Sequence, residues 1–146
     1  MTSWRDSASA QAQDDLDGLL GAAIEFAQQQ LETHGEFFPY AATIGTDGQA
    51  EMIAARPDPH DEHPTSAEVI DACTAALTNK RTQIRAGAVV ADVRLPDLGS
   101  DAIRVDLEHA EGHALTVLLP YTKKKIRRAI GYGQIRAQAG HRRIWT

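Results

Sequence analysis

The stretch IRVDLEHAEGHALTVLL, residues 103–119, decides the fold, because apolar residues alternate on both sides of a glycine turn. Before the turn they alternate with charged residues such as Arg104 and Asp106, as in a strand with one buried face. A turn of three residues ending in Gly112 places apolar residues opposite one another on that face. The pairs are Leu107 with Leu115, Val105 with Val117 and Ile103 with Leu119. The stretch therefore predicts an antiparallel hairpin with one apolar face.

A second hairpin is predicted upstream, around the turn at residues 46–48. The alternating apolar positions before that turn are Phe38, Tyr40, Ala42 and Ile44, and those after it are Ala50, Met52 and Ala54. A three-residue loop ending in Gly48 pairs Ile44 with Ala50, whereas a two-residue loop would place Glu51 opposite Ile44. We therefore predict the three-residue loop, which also pairs Ala42 with Met52.

Two segments, 14–34 and 65–80, carry apolar residues at three- and four-residue steps, which is typical of helices with one buried stripe. Asp14, Asp15 and Asp17 favour the start of the first helix, and Gly35 favours its end. Thr65 and Glu68 have the spacing of a capping box at the start of the second helix. We therefore predict two amphipathic helices.

Two further strands complete the expected order. Residues 86–95 are an apolar run rich in valine and alanine, and a last strand is expected over residues 130–137. The resulting order, α-β-β-α-β-β-β-β, lacks the regular alternation of parallel βαβ units. We predict an α+β fold with a mainly antiparallel sheet and both helices packed on one face.

The length of 146 residues is typical of one domain. Residues 1–13 have no period and are expected to be a flexible N-terminal leader, followed by a single α+β domain over residues 14–146. The domain has a basic C-terminal segment, 121–146. The side chains predicted to be buried are Leu20, Ala23, Ala27, Ile70, Cys73, Leu77, Val105, Leu107, Leu115 and Val117.

The sequence favours a cytoplasmic location. No apolar run approaches the ~20 residues of a membrane helix, and residues 1–6 lack the apolar core of a secretory signal. Cys73 is the one cysteine, so no internal disulfide can form, as is usual in a reducing compartment. On the stripe of the second helix, Cys73 is expected to be a core residue and not a reactive thiol.

Charge is divided unevenly along the chain. The net charge of −5 combines −13 over residues 1–120 with +8 over residues 121–146, which contain no acidic residue. Such asymmetry indicates a charged partner or self-association. The candidate binding residues are Lys123, Lys124, Lys125, Arg127, Arg128, Arg136, Arg142 and Arg143.

The basic segment is open to two interpretations. Cations this close together repel one another, and an anionic partner would relieve that cost. The partner would be the acidic surface of the same fold or of a second copy, or else an acidic protein, a nucleic acid or a phosphorylated ligand. The chain as a whole is acidic, which favours protein surfaces over nucleic acid.

Four histidines are candidate metal ligands. His60 and His63 lie in an acidic, proline-rich loop, and His109 and His113 are expected to face each other across the second hairpin. His60 and His63 are more typical of an acidic surface loop than of a metal site. His109 and His113 are more typical of solvated residues at a turn. We therefore predict no metal site and no cofactor.

Two functions follow from these features, with a third alternative. The first is a non-catalytic protein-interaction or regulatory domain that acts as a homodimer, because a two-fold interface uses acidic and basic patches twice. The second is a domain that binds nucleic acid or a phosphorylated ligand through residues 123–143. The third is an enzyme of unknown reaction, although no Gly-x-Ser-x-Gly turn or glycine-rich phosphate loop is present.

Overall fold

The computed structural model describes residues 4–124 and 129–146, which form three helices and seven strands. The helices are α1 (Trp4–Ser7), α2 (Ala10–His34) and α3 (Ser66–Asn79). The strands are β1 (Tyr40–Gly45), β2 (Ala50–Ile53), β3 (Ile84–Leu95), β4 (Ser100–His109), β5 (His113–Lys123), β6 (Ile130–Tyr132) and β7 (Arg136–Ala139). The α+β class and the predicted order of elements are confirmed, with the short helix α1 added at the start.

All the strand pairs are antiparallel, in the spatial order β2-β1-β3-β4-β5-β6, with β7 also beside β5. Both predicted hairpin registers are confirmed, with Ile44 opposite Ala50 and Leu107 opposite Leu115. Gly48 and Gly112 have φ values of 84° and 109°, a backbone conformation that residues with a side chain rarely adopt. The strand predicted over residues 130–137 is interrupted, so β6 and β7 share one edge of the sheet.

The two long helices lie on opposite faces of the sheet, and the prediction that they share one face is wrong. Helix α2 packs in the cluster that contains Ala42 and Val90, whereas α3 packs in the cluster that contains Ala41 and Val89. Neighbouring residues of a strand point to opposite faces, so these clusters are separated by the sheet. The physical reason is that β1 and β3 are apolar on both sides and must be covered on both.

The first long helix begins four residues earlier than predicted. Its N-cap is Ser9, whose hydroxyl accepts a hydrogen bond from the amide of Ala12, so residues 10–13 of the expected leader belong to α2. The predicted end is confirmed at Gly35, with a φ of 76°. Phe38 was expected on the first strand, but β1 begins at Tyr40 and the Phe38 side chain is 77% exposed.

The predicted core is confirmed in most positions. Ala23, Ala27, Cys73, Leu77, Val105, Leu107 and Val117 are buried. Leu20, Ile70 and Leu115 are only partly buried, at the borders of the two clusters.

Candidate interaction surface

Helix α3 covers only part of its side of the sheet. It packs against β1 and β3. Beyond α3, one row of register partners crosses four neighbouring strands on the α3 side of the sheet. The row consists of Ala91, Arg104, Leu118 and Arg136. Val89, the neighbour of Ala91 one step along that side, belongs to the α3 cluster, which fixes the side on which the row lies. We call the α3 side of β4, β5 and β7 the open half.

The open half carries cations and carboxylates beside one another. Arg104 Nε lies 3.1 Å from Asp106 Oδ2 on the same strand, and the Thr116 hydroxyl donates to Asp106 at 2.6 Å. Arg136 Nη1 lies 3.4 Å from Asp97 Oδ2. The side chains of Arg104 and Arg136 are 40% and 44% exposed, so these ion pairs stabilise the fold little and can exchange partners.

The end of the chain, residues 140–146, borders the open half and is called the strap. Its amide at Gly140 still bonds to Ala114 of β5, after which the strap leaves the sheet edge. Ile144 is buried in the α3 cluster. The amides of Arg143, Ile144 and Trp145 all donate to the carboxylate of Glu108, which is 5% exposed. These bonds fix the strap and leave the side chains of Arg142 and Arg143 exposed.

The predicted basic residues that the structure describes do not form one patch, because Lys123 lies beside Gly35 at the end of α2 whereas Arg142 lies beside Gly112 at the start of β5. Lys123, Lys124, Arg136, Arg142 and Arg143 are exposed, and Lys125, Arg127 and Arg128 fall outside the described residues. Within the described part of the chain, Arg136 is the member of this set that pairs with a carboxylate. Arg142 and Arg143 therefore present exposed positive charge near the start of β5, whereas Lys123 interacts electrostatically with Asp92 on the α2 side.

Acidic residues gather on the other half of the same side. Glu68 and Asp71 are exposed on the outer surface of α3, next to Ala75, whose small side chain allows close approach. Further exposed acidic residues on β2, its turn and the loop before α3 are Asp47, Glu51, Asp58 and Glu62. Other exposed acidic residues, such as Asp14, Asp17 and Glu25, lie on α2 on the opposite face, so the division of charge along the chain is only in part a division across the α3 side.

The histidines named in the sequence lie in two places. His60 and His63 are exposed, and their amides donate to Asp58 and Asp61. His109 and His113 are register partners as expected, but the interpretation of His109 as a solvated turn residue is wrong, since it is 4% exposed. Within the described residues, no three His, Cys, Asp or Glu side chains group as metal ligands.

A buried polar cluster joins α2 to the second hairpin. Asp15 Oδ2 lies 2.9 Å from His109 Nε2, and Asp15 Oδ1 accepts from Arg85 at 2.8 Å. The amide of Glu111 donates to His109 Nδ1, so that nitrogen is an acceptor and Nε2 carries the proton. Both ring nitrogens of His109 therefore take part in hydrogen bonds within the chain. Sequence reasoning missed this cluster, although Asp15 shares the four-residue spacing of the buried residues Leu19 and Ala23.

A second polar pair lies on the α2 side. The Tyr121 hydroxyl donates to Asp92 Oδ1 at 2.6 Å. Burial raises the pKa of the Asp92 carboxyl above its ordinary value, and the hydrogen bond from Tyr121 opposes this only in part. Burial and the nearby Asp92 also raise the pKa of Tyr121 beyond its usual range. The pair is a partly buried contact that joins β3 to β5.

The raised pKa of Asp92 predicts a specific pH dependence of stability. The folded protein binds the proton of the Asp92 carboxyl more tightly than the unfolded chain does. Protonated Asp92 therefore stabilises the fold at low pH, and this stabilisation is lost as the pH rises through the raised pKa. Asp92→Asn keeps an acceptor for Tyr121 but removes the titration. Unfolding by denaturant between about pH 4 and pH 7 should show the variant gaining stability relative to the parent as pH rises. A constant difference across this range would contradict the assignment.

Two of the cavities lie on either side of the end of β2. One of about 720 Å³ lies between α3 and the end of β2 and is lined largely by alanines with Arg56, Glu68 and Asp71. Another of about 360 Å³ lies beside Phe38 and Pro64 and is mainly apolar. Among residues 4–124 and 129–146, no helix has the length and apolarity needed to cross a membrane.

Comparisons with protein-family models, curated proteins and solved structures gave no significant match.

Proposed function

We propose that the protein is a non-catalytic protein-interaction domain that acts as a homodimer, in a reducing compartment such as the cytoplasm. The observation that carries this proposal is the open half, because α2 packs on the other face of β4 and α3 packs against β1 and β3. The open half combines arginines, carboxylates and the partly buried Leu118. A surface with both signs of charge and an apolar centre suits an isologous interface, which must be complementary to itself.

The internal use of the buried polar groups supports a role without catalysis. Asp15, His109 and Glu108 are all engaged in bonds that hold helix, hairpin and strap together. Cys73 is 0% exposed, and burial raises the pKa of its thiol, which disfavours the reactive thiolate.

Light scattering over a range of protein concentrations tests the proposal. We expect a mass of twice 15.9 kDa at low salt and a shift toward the single chain as salt is added, because exposed charge pairs are screened. A single chain at every concentration and salt would contradict the homodimer.

Binding of nucleic acid or a phosphorylated ligand is the second candidate, favoured by the exposed cations at the sheet edge. Lys124, Arg142 and Arg143 have no carboxylate partner among the described residues. A nucleic-acid titration of the same samples distinguishes the two functions. Binding whose logarithm falls steeply with the logarithm of salt, by a protein that stays a single chain, would replace the first proposal.

A further inference from the structure

We infer that two copies pack with their α3 sides together, so that α3 of each copy lies on the open half of the other. This inference rests on the proposed homodimer and names its interface. Helix α3 packs against β1 and β3, and on the rest of its side the strap covers Glu108 while Arg104 and Arg136 stay partly exposed. A two-fold axis between α3 and the open half places α3 of each copy on the open half of the other. Such an arrangement forms a closed dimer.

Charge complementarity identifies a second copy as the occupant. The exposed surface of α3 carries Glu68 and Asp71, and the open half carries Arg104 and Arg136, with Arg143 of the strap at its border. In the two-fold arrangement the acidic surface of each α3 meets Arg104, Arg136 and Arg143 of the other copy, and the match occurs twice.

The shapes also agree with this packing. Ala75 lies one helical turn after Asp71 on the exposed surface of α3, so the helix can approach a sheet closely there. On the open half, Ala91 is small and 6% exposed, and Leu118 beside Arg104 provides a partly buried apolar centre. The ion pairs of Arg104 with Asp106 and of Arg136 with Asp97 are exposed, so both arginines can contact the acids of a partner.

Charge reversal on each side of the interface tests the arrangement. Asp71→Arg alone and Arg136→Asp alone each place like charges opposite one another twice, and we expect each to raise the dimer Kd about tenfold or more. In an equal mixture of the two variants both contacts are complementary again, so heterodimers should form with nearly the parent Kd. Light scattering of each variant and of the mixture gives the three values.

Two control variants separate this effect from a general change in charge. Asp14→Arg makes the same change on the exposed surface of α2 and should leave the Kd unchanged. Arg94→Asp is matched to Arg136→Asp, because Arg94 also pairs with an aspartate at 3.4 Å but lies on the α2 side. Circular dichroism verifies folding, and the neutral variants Asp71→Asn and Arg136→Gln, each expected to weaken the dimer a few-fold, replace any reversal that does not fold.

The outcomes distinguish this inference from the proposed function. Weakening by each reversal and recovery in the mixture supports the α3-side interface. A parent dimer that both reversals leave intact, or a mixture that does not recover, overturns the interface and leaves the homodimer standing. A parent chain that never dimerises overturns both.

Discussion

Leu107→Ala is expected to lower the free energy of unfolding by about 2–5 kcal/mol, the usual cost of a truncated core leucine. Leu107 is 2% exposed and lies between its register partners Ala88 and Leu115 in the cluster under α2. The helix and strands around it are fixed by their own hydrogen bonds and cannot close the cavity fully. Denaturant unfolding monitored by circular dichroism measures the loss.

Leu98→Ala is the matched control for this substitution. Leu98 is 51% exposed in the turn between β3 and β4, so its truncation should change stability by no more than about 0.5 kcal/mol. Similar losses for the two variants would show that the hairpin face containing Ile103, Val105 and Leu107 is not the buried one.

Asp15→Ala should cost about 1–3 kcal/mol, the usual penalty for a buried donor that is left without an acceptor. The substitution leaves the Nε2 proton of His109 without an acceptor at a site that is 4% exposed. Arg85 limits the cost, because its side chain is 27% exposed and can turn toward water. Thermal or denaturant unfolding measures the difference.

Asp17→Ala is the control, two residues along the same helix. Asp17 also pairs with an arginine, Arg5 at 2.7 Å, but both side chains are about half exposed. We therefore expect a much smaller loss than for Asp15→Ala. A loss of equal size at the two positions would contradict the structural role of the buried cluster.

Local patterns in the sequence were sufficient for the hairpins and helix stripes. The turns ending in Gly48 and Gly112 fix both registers, because shifting either by one residue would expose its apolar set. The stripe of a helix indicates which side of the helix is buried but not which face of the sheet buries it. Residues 86–91 are apolar without alternation and are all buried. This run was the signal in the sequence that both faces of the sheet need cover.

The candidate surface was predictable only in part. The separation of acidic and basic residues is visible in the sequence, but the structure places only some of them on opposite halves of the α3 side, since exposed acids also lie on α2 and Lys123 lies beside the end of α2. The open half itself depends on the alignment of Ala91, Arg104, Leu118 and Arg136 across four strands. No single segment contains that row, so a pattern search along the chain does not find it. Asp15 was missed because its charge suggested a helix start instead of a buried position.

Protection of a thiol on α3 tests the central claim most directly. Ala75→Cys places a reactive group on the exposed surface of α3, while the native Cys73 is 0% exposed and should react slowly. Gln29→Cys on the exposed surface of α2 is the control. The rate of maleimide labelling is measured well below and well above the dimer midpoint from light scattering. We expect Ala75→Cys to be labelled several-fold more slowly in the dimer and Gln29→Cys equally fast in both. Equal labelling of Ala75→Cys in monomer and dimer would contradict an interface on the α3 side.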